Sequence, residues 1–252
     1  EVLFNNTFSA AGTGVVNINA GTLSLTGGGT ANAQSSFNIG TGAMLFFNGG
    51  TYNLNSVAFG PGTGTMRVNS LVNATGTHSF GGSLVIASSG VLDVANTFTA
   101  SGGYTQEGGT VRGTGTLNVS GAASWTGGTM SGAGTTNFAS AVSFTGDGNR
   151  TISDGRVVNL NGGATWSGNT SAFGNRIFLG GSGGATINNN GTFLDQNAFS
   201  TDIPNFGSGV FNNLGQYTKS GAGTTSIEVL FNNTFSAAGT GVVNINAGTL
   251  SL

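Results

Sequence analysis

The densest group of residues able to do chemistry is the run GDGNRTISDGR at 146–156, which holds Asp147, Arg150, Asp154 and Arg156. Two neighbouring carboxylates can act as acid and nucleophile on a glycosidic bond, or hold calcium. Interleaved with two arginines, they read instead as a turn closed by surface ion pairs, with Asp147 and Asp154 kept as weak acidic candidates. Asp147-Gly148-Asn149 lacks the further acids and the closing Glu of an EF-hand loop. The single histidine, His78, has no Ser, Cys or second His at a recognisable spacing, so it reads as a strand or turn residue. Zero Cys excludes thiolate catalysis, disulfides and thiolate metal sites together. The many Gly-x-Gly strings are followed by no helix pattern and carry no nucleotide-binding meaning. Six Lys and Arg cannot build the basic face that nucleic acid demands. The expectation is a non-enzyme with no catalytic residue, metal or cofactor.

What must position any site is a β framework. The 48 Gly among 252 residues, with abundant Thr, Ser and Asn, disfavour helix and suit short strands joined by tight turns. Only 6% of residues are charged, yet 18 Phe supply bulk for a core, which a disordered linker would lack. No run of eighteen apolar residues occurs, and no basic-then-apolar leader opens the chain. The segment is therefore expected neither to insert into a membrane nor to carry its own export signal.

Residues 1–25, EVLFNNTFSAAGTGVVNINAGTLSL, return unchanged as 228–252. The chain thus reads as one unit, 1–227, plus the opening of the next. A fold that lets residue 227 be followed by another residue 1 must be able to continue along one axis, which solenoids do and closed globules do not. Inside the unit a looser period brings back a short apolar strand. It begins at Glu1, Thr22, Met44, Met66, Leu92, Leu117, Thr136, Val158, Thr186 and Phe211, often after a Gly-rich turn such as GTGAMLFF or GTGTLNVS. The first and third residues of these starts are expected to face inward. The longer coils, from Met66 and Val158, are expected to carry surface loops. One aromatic follows in each coil: Phe8, Phe37, Tyr52, Phe80, Tyr104, Trp125, Phe144, Trp166, Phe193, Tyr217 and Phe235. Coils about 4.8 Å apart would bring these rings into one structural column. Their functional alternative is an exposed strip that binds sugar rings. A third apolar element, as in GVVNIN and GSLVIAS, completes three strands per coil. The predicted fold is all-β: a right-handed parallel β-helix of about ten coils per 227-residue unit, continuous from 1 to 252. Antiparallel hairpins in a sandwich or barrel are the alternative.

Stretches such as SWTGGTMSGAGTT, TINNNGTF and NAGTLSL resemble the coils of bacterial autotransporter passengers, filamentous-haemagglutinin-type adhesins and other giant surface repeat proteins. The resemblance covers the whole chain and rests on composition. It implies export, exposure on the cell surface, and adhesion or fibre formation. The sequence expectation is therefore an extracellular structural protein forming a stiff rod. Its partners are itself, through tandem repeats or lateral association, and glycans if it is an adhesin; a polysaccharide lyase or hydrolase is the weaker alternative.

Overall fold

The computed structural model describes residues 4–6, 14–236 and 239–252, with no side chains described for 235–240. Every regular element among these residues is a strand, most of them three to five residues long. Short strands follow from the sequence: β-branched and aromatic residues form each run, and a Gly-, Asn- or Ser-rich corner ends it. Two compact units divide the chain, Glu1–Gly121 and Ala122–Leu252.

In the first unit each coil contributes one strand to each of three parallel ladders. The first ladder stacks Thr22–Leu25, Met44–Phe47, Thr65–Val68, Ser83–Ile86 and Gly103–Gln106. The second stacks Gly29–Ala31, Thr51–Asn55, Leu71–Thr75, Val91–Val94 and Thr110–Arg112. The third runs Val15–Ile18, Ser36–Ile39 and Ala58–Phe59, and then Thr77–Phe80, Thr97–Ala100 and Thr116–Val119. Register brings like side chains into inward columns, such as Leu45, Met66, Leu84 and Tyr104, all buried. Parallel pairing satisfies the backbone along each ladder, interrupted in the third between Ala58–Phe59 and Thr77–Phe80, while the apolar columns supply the hydrophobic gain.

The second unit repeats the plan with longer corners. One ladder stacks Ala122–Trp125, Val142–Phe144, Ala164–Trp166, Thr192–Asp195, Gln216–Lys219 and Val242–Ile245. Another stacks Thr135–Phe138, Arg156–Leu160, the second half of Ile177–Asn189, Asn205–Asn213 and Leu230–Asn233. Ile177–Asn189 serves two ladders, because its first half pairs with Arg150–Ser153. Its glycine-rich middle, with Gly181 and Gly184 at φ 94° and 72°, makes the bend a side chain would resist. Asparagines line this unit in two files. Outside, Asn137, Asn159, Asn188, Asn212 and Asn232 pass side-chain amide hydrogen bonds of 2.7–2.9 Å from coil to coil. Inside, the buried Asn189 donates to Asn213 at 2.8 Å, and Asn213 in turn donates to the exposed Asn233 at 2.8 Å. Among the described residues, the only antiparallel strand pair joins Phe235–Ser236 to Gly239–Thr240.

Three expectations need correction. The aromatics do not form one column. Phe37 pairs with Phe59 and Phe80 with Ala100 on the third ladder, whereas Tyr52 pairs with Val72 on the second and Tyr104 with Leu84 on the first. Trp125, Phe144 and Trp166 share one column, and Phe193 and Tyr217 share the adjacent one. Phe8 lies outside the described residues, and Phe235 is placed only as a strand position. A triangular interior has three walls, and rings from any wall can fill it. The second correction concerns the strand starts. Met66, Leu92 and Leu117 lie on different ladders, so the coil from Met66 closes early, at Leu84, and carries no extra loop. The third is orientation: in the strands from Thr22 and Met44 the second and fourth residues, not the first and third, face inward.

Candidate functional site

The 146–156 run does not close a turn with surface ion pairs, because Arg150 and Arg156 are fully buried. Arg150 spends its donors on the carbonyls of Trp125 (2.6 Å), Gly148 (3.0 Å) and Thr145 (2.5 Å) and on Asn175 Oδ1. Its guanidinium lies 5.6 Å from the Phe144 ring centroid. Burial pushes its pKa down to about 9. Arg156 reaches Thr136 Oγ1 from Nη2 at 2.6 Å and from Nε at 3.2 Å. The acids stand at opposite ends of the strand Arg150–Ser153 and do not converge. Asp154, at φ 60°, accepts from the hydroxyls of Ser153 (2.9 Å) and Ser182 (3.3 Å). Asp147 accepts from the backbone N–H of Thr170 at 2.8 Å and from its hydroxyl, and its carbonyl accepts from Asn175 N at 3.2 Å. Each carboxylate holds a corner; neither is paired for acid–base work. Among the described residues no three His, Cys, Asp or Glu come together to hold a metal. Among the same residues no helix is long and apolar enough to cross a membrane.

Asp147 fastens one end of a loop at residues 167–176, in the coil that the sequence marks as long. The loop lifts Phe173 into solvent, 61% exposed and at φ 61°. A phenylalanine in the left-handed region is strained, and only a tied loop keeps it there. The ties are Asp147 to Thr170, Phe173 N–H to Ser200 O at 2.6 Å, and Asn169 Nδ2 to Phe199 O at 2.8 Å. Beside Phe173 stands Arg176, 5.8 Å from its ring centroid and 4.9 Å from that of Phe178. Asp202 holds Arg176 through a forked contact, Nη2 to Oδ2 at 2.6 Å and Nε to Oδ1, and raises its pKa. Phe206, 60% exposed, meets Phe178 edge-on at 6.1 Å. Phe173, Arg176, Phe178 and Phe206 thus form an exposed aromatic patch around a fixed cation. Flat rings beside a part-exposed guanidinium can stack on the apolar face of a sugar; the Asp202 carboxylate is buried and serves to hold Arg176. Assigning one aromatic to each coil hides these residues. Their signal is the surplus phenylalanines in the polar insertions SGNTSAFGNR and NAFSTDIPNFGSG.

His78 is buried in the strand Thr77–Phe80, its ring nitrogens 3.1 Å from Val57 O and 3.2 Å from Thr75 O. The expected ladder rings Phe37, Tyr52, Phe80, Tyr104, Trp125, Phe144, Trp166, Phe193 and Tyr217 are all buried, so none offers a sugar-binding strip. Parallel ladders of short strands stacked coil on coil define a β-solenoid, the fold of β-helix repeat proteins. Comparison with protein-family models, curated proteins and solved structures found no match.

Proposed function

We propose that this chain is a non-enzymatic structural protein of the bacterial exterior, whose tandem units extend a solenoid into a stiff rod or fibre. The observation that carries this reading is how the second copy of the opening segment is seated. Leu230–Asn233, Val242–Ile245 and Thr249–Ser251 pair in parallel with the last strands of the preceding unit, Val210–Asn213, Gln216–Lys219 and Thr224–Ser226. The end of one unit is thereby a template for the start of the next. Likeness to autotransporter passengers and haemagglutinin-type adhesins supports the extracellular assignment. Chains of one, two and three units imaged by electron microscopy should lengthen by about 48 Å per unit, ten coils at strand spacing. Compact particles would end this reading.

The exposed patch supports a second reading, adhesion to glycans. A glycan array should show binding that Phe173→Ala and Phe206→Ala abolish while circular dichroism stays unchanged. No binding to any glycan, or binding that both variants retain, would refute it.

A further inference from the structure

Lys219 and Asp195 face each other on the paired strands Gln216–Lys219 and Thr192–Asp195; both side chains are fully buried, and Nζ stands 3.6 Å from Oδ1. An amine and a carboxyl group held together where bulk water is excluded are the two halves of an amide. Their surroundings suit that product as well as the ion pair. Asp195 Oδ1 accepts from Asn197 N at 3.1 Å and from Asn197 Nδ2 at 3.0 Å, two donors placed to hold the oxygen of a tetrahedral adduct and then that of an amide carbonyl. The other oxygen, Oδ2, accepts from the hydroxyls of Tyr217 (2.9 Å) and Thr225 (2.6 Å). Lys219 Nζ already donates to Gly221 O at 2.7 Å, an acceptor that an amide N–H can keep. A buried ion pair carries the desolvation cost of two charges, which a neutral amide in the same place avoids.

We propose that Lys219 and Asp195 condense after folding into an isopeptide bond that ties one coil covalently to the next. Nζ first gives one proton to Oδ2, which leaves a neutral amine facing a carboxylic acid. The nitrogen lone pair then attacks Cγ, and the Cγ–Oδ2 bond breaks as a second Nζ proton passes to Oδ2. Oδ2 departs as water with both protons, Oδ1 remains as the amide oxygen, and no further reactant is consumed. The ion pair of the structure is the state before reaction. The bond closes residues 195–219 into a loop in a chain without cysteine, and so does for adjacent coils what a disulfide would do. It concerns the interior alone and does not rest on the fibre reading.

The test is the covalent mass of the purified chain, folded, incubated at neutral pH and then denatured. The linked protein should be lighter than its sequence by one water. Trypsin does not cut after an acylated lysine, and Lys219 is the only Lys or Arg beyond Arg176. The denatured parent should therefore yield residues 177–252 as one fragment rather than 177–219 and 220–252. Lys219→Arg and Asp195→Ala should each restore the full mass, and both should release the two fragments separately. The parent measurement decides the matter even where a variant folds poorly. A parent of full mass after prolonged incubation would overturn the proposal. So would a loss of water that leaves the two fragments separate, because the dehydrated residue would then lie elsewhere in the chain.

Discussion

Asp195 and Lys219 occupy paired positions on neighbouring parallel strands, and both side chains are fully buried, with Nζ 3.6 Å from Oδ1. They continue the column that Trp125, Phe144 and Trp166 begin. Where that column changes from rings to charges, the adjacent one changes from Ala164 to Phe193 and Tyr217, so the interior stays filled. Asp195 Oδ2 also accepts from Tyr217 Oη (2.9 Å) and Thr225 Oγ1 (2.6 Å), and its Oδ1 from Asn197 N (3.1 Å) and Nδ2 (3.0 Å). Lys219 donates to Gly221 O at 2.7 Å. Asn175 Nδ2 donates to Asn197 Oδ1 at 2.8 Å and links this cluster to Arg150.

Lys219→Met removes one partner and leaves a buried carboxylate without its cation. It should destabilise the fold by about 3–5 kcal/mol, measured as a lower urea midpoint with an unchanged slope. A loss below about 1 kcal/mol would show that the hydroxyl and amide donors alone hold Asp195.

Tyr217 carries the alkaline limit of this cluster. Burial, then the Asp195 charge and the hydrogen bond to it, raise its pKa well above the ordinary phenol value. An unfolded tyrosine releases its proton near pH 10. Above that pH the folded state binds more protons than the unfolded state, and stability must fall. The thermal midpoint of the parent should therefore drop faster than that of Tyr217→Phe once the pH passes about 10. Parallel curves would contradict the assignment.

Trp166 is fully buried, meets Phe193 edge-on at 5.9 Å, and donates its indole N–H to Asn175 O at 2.7 Å. Trp166→Ala should cost about 3–5 kcal/mol through cavity formation and the lost donor. Chemical denaturation followed by the fluorescence of Trp125 would measure it.

Asp147 tests whether the 146–156 run acts on a substrate or only holds a loop. Asp147→Ala should leave the thermal midpoint nearly unchanged while speeding chymotryptic cleavage after Phe173, because Thr170 loses its anchor. Cleavage at the parent rate would mean the loop is held without it.

The sequence by itself determined the strand content, the solenoid and the identity of the two copies. These follow from local rules: glycine corners, β-branched runs, and a repeat that requires an open-ended fold. It also marked Val158 as the start of a coil with an insertion. It did not determine which wall of the coil a strand joins. Corners of variable length shift the phase, and so Met66, Leu92 and Leu117, alike in sequence, lie on different ladders. Only tertiary structure decided which charges are buried. Arg150 and Asp154 sit four positions apart, yet one points into the interior and the other serves a surface corner, a difference set by strand register and by what lies on the coils either side. The exposed rings of Phe173 and Phe206 escaped a per-coil reading for the same reason. Burial is decided by neighbours about twenty to thirty residues away along the chain, which stack one coil above or below, and not by neighbours in sequence.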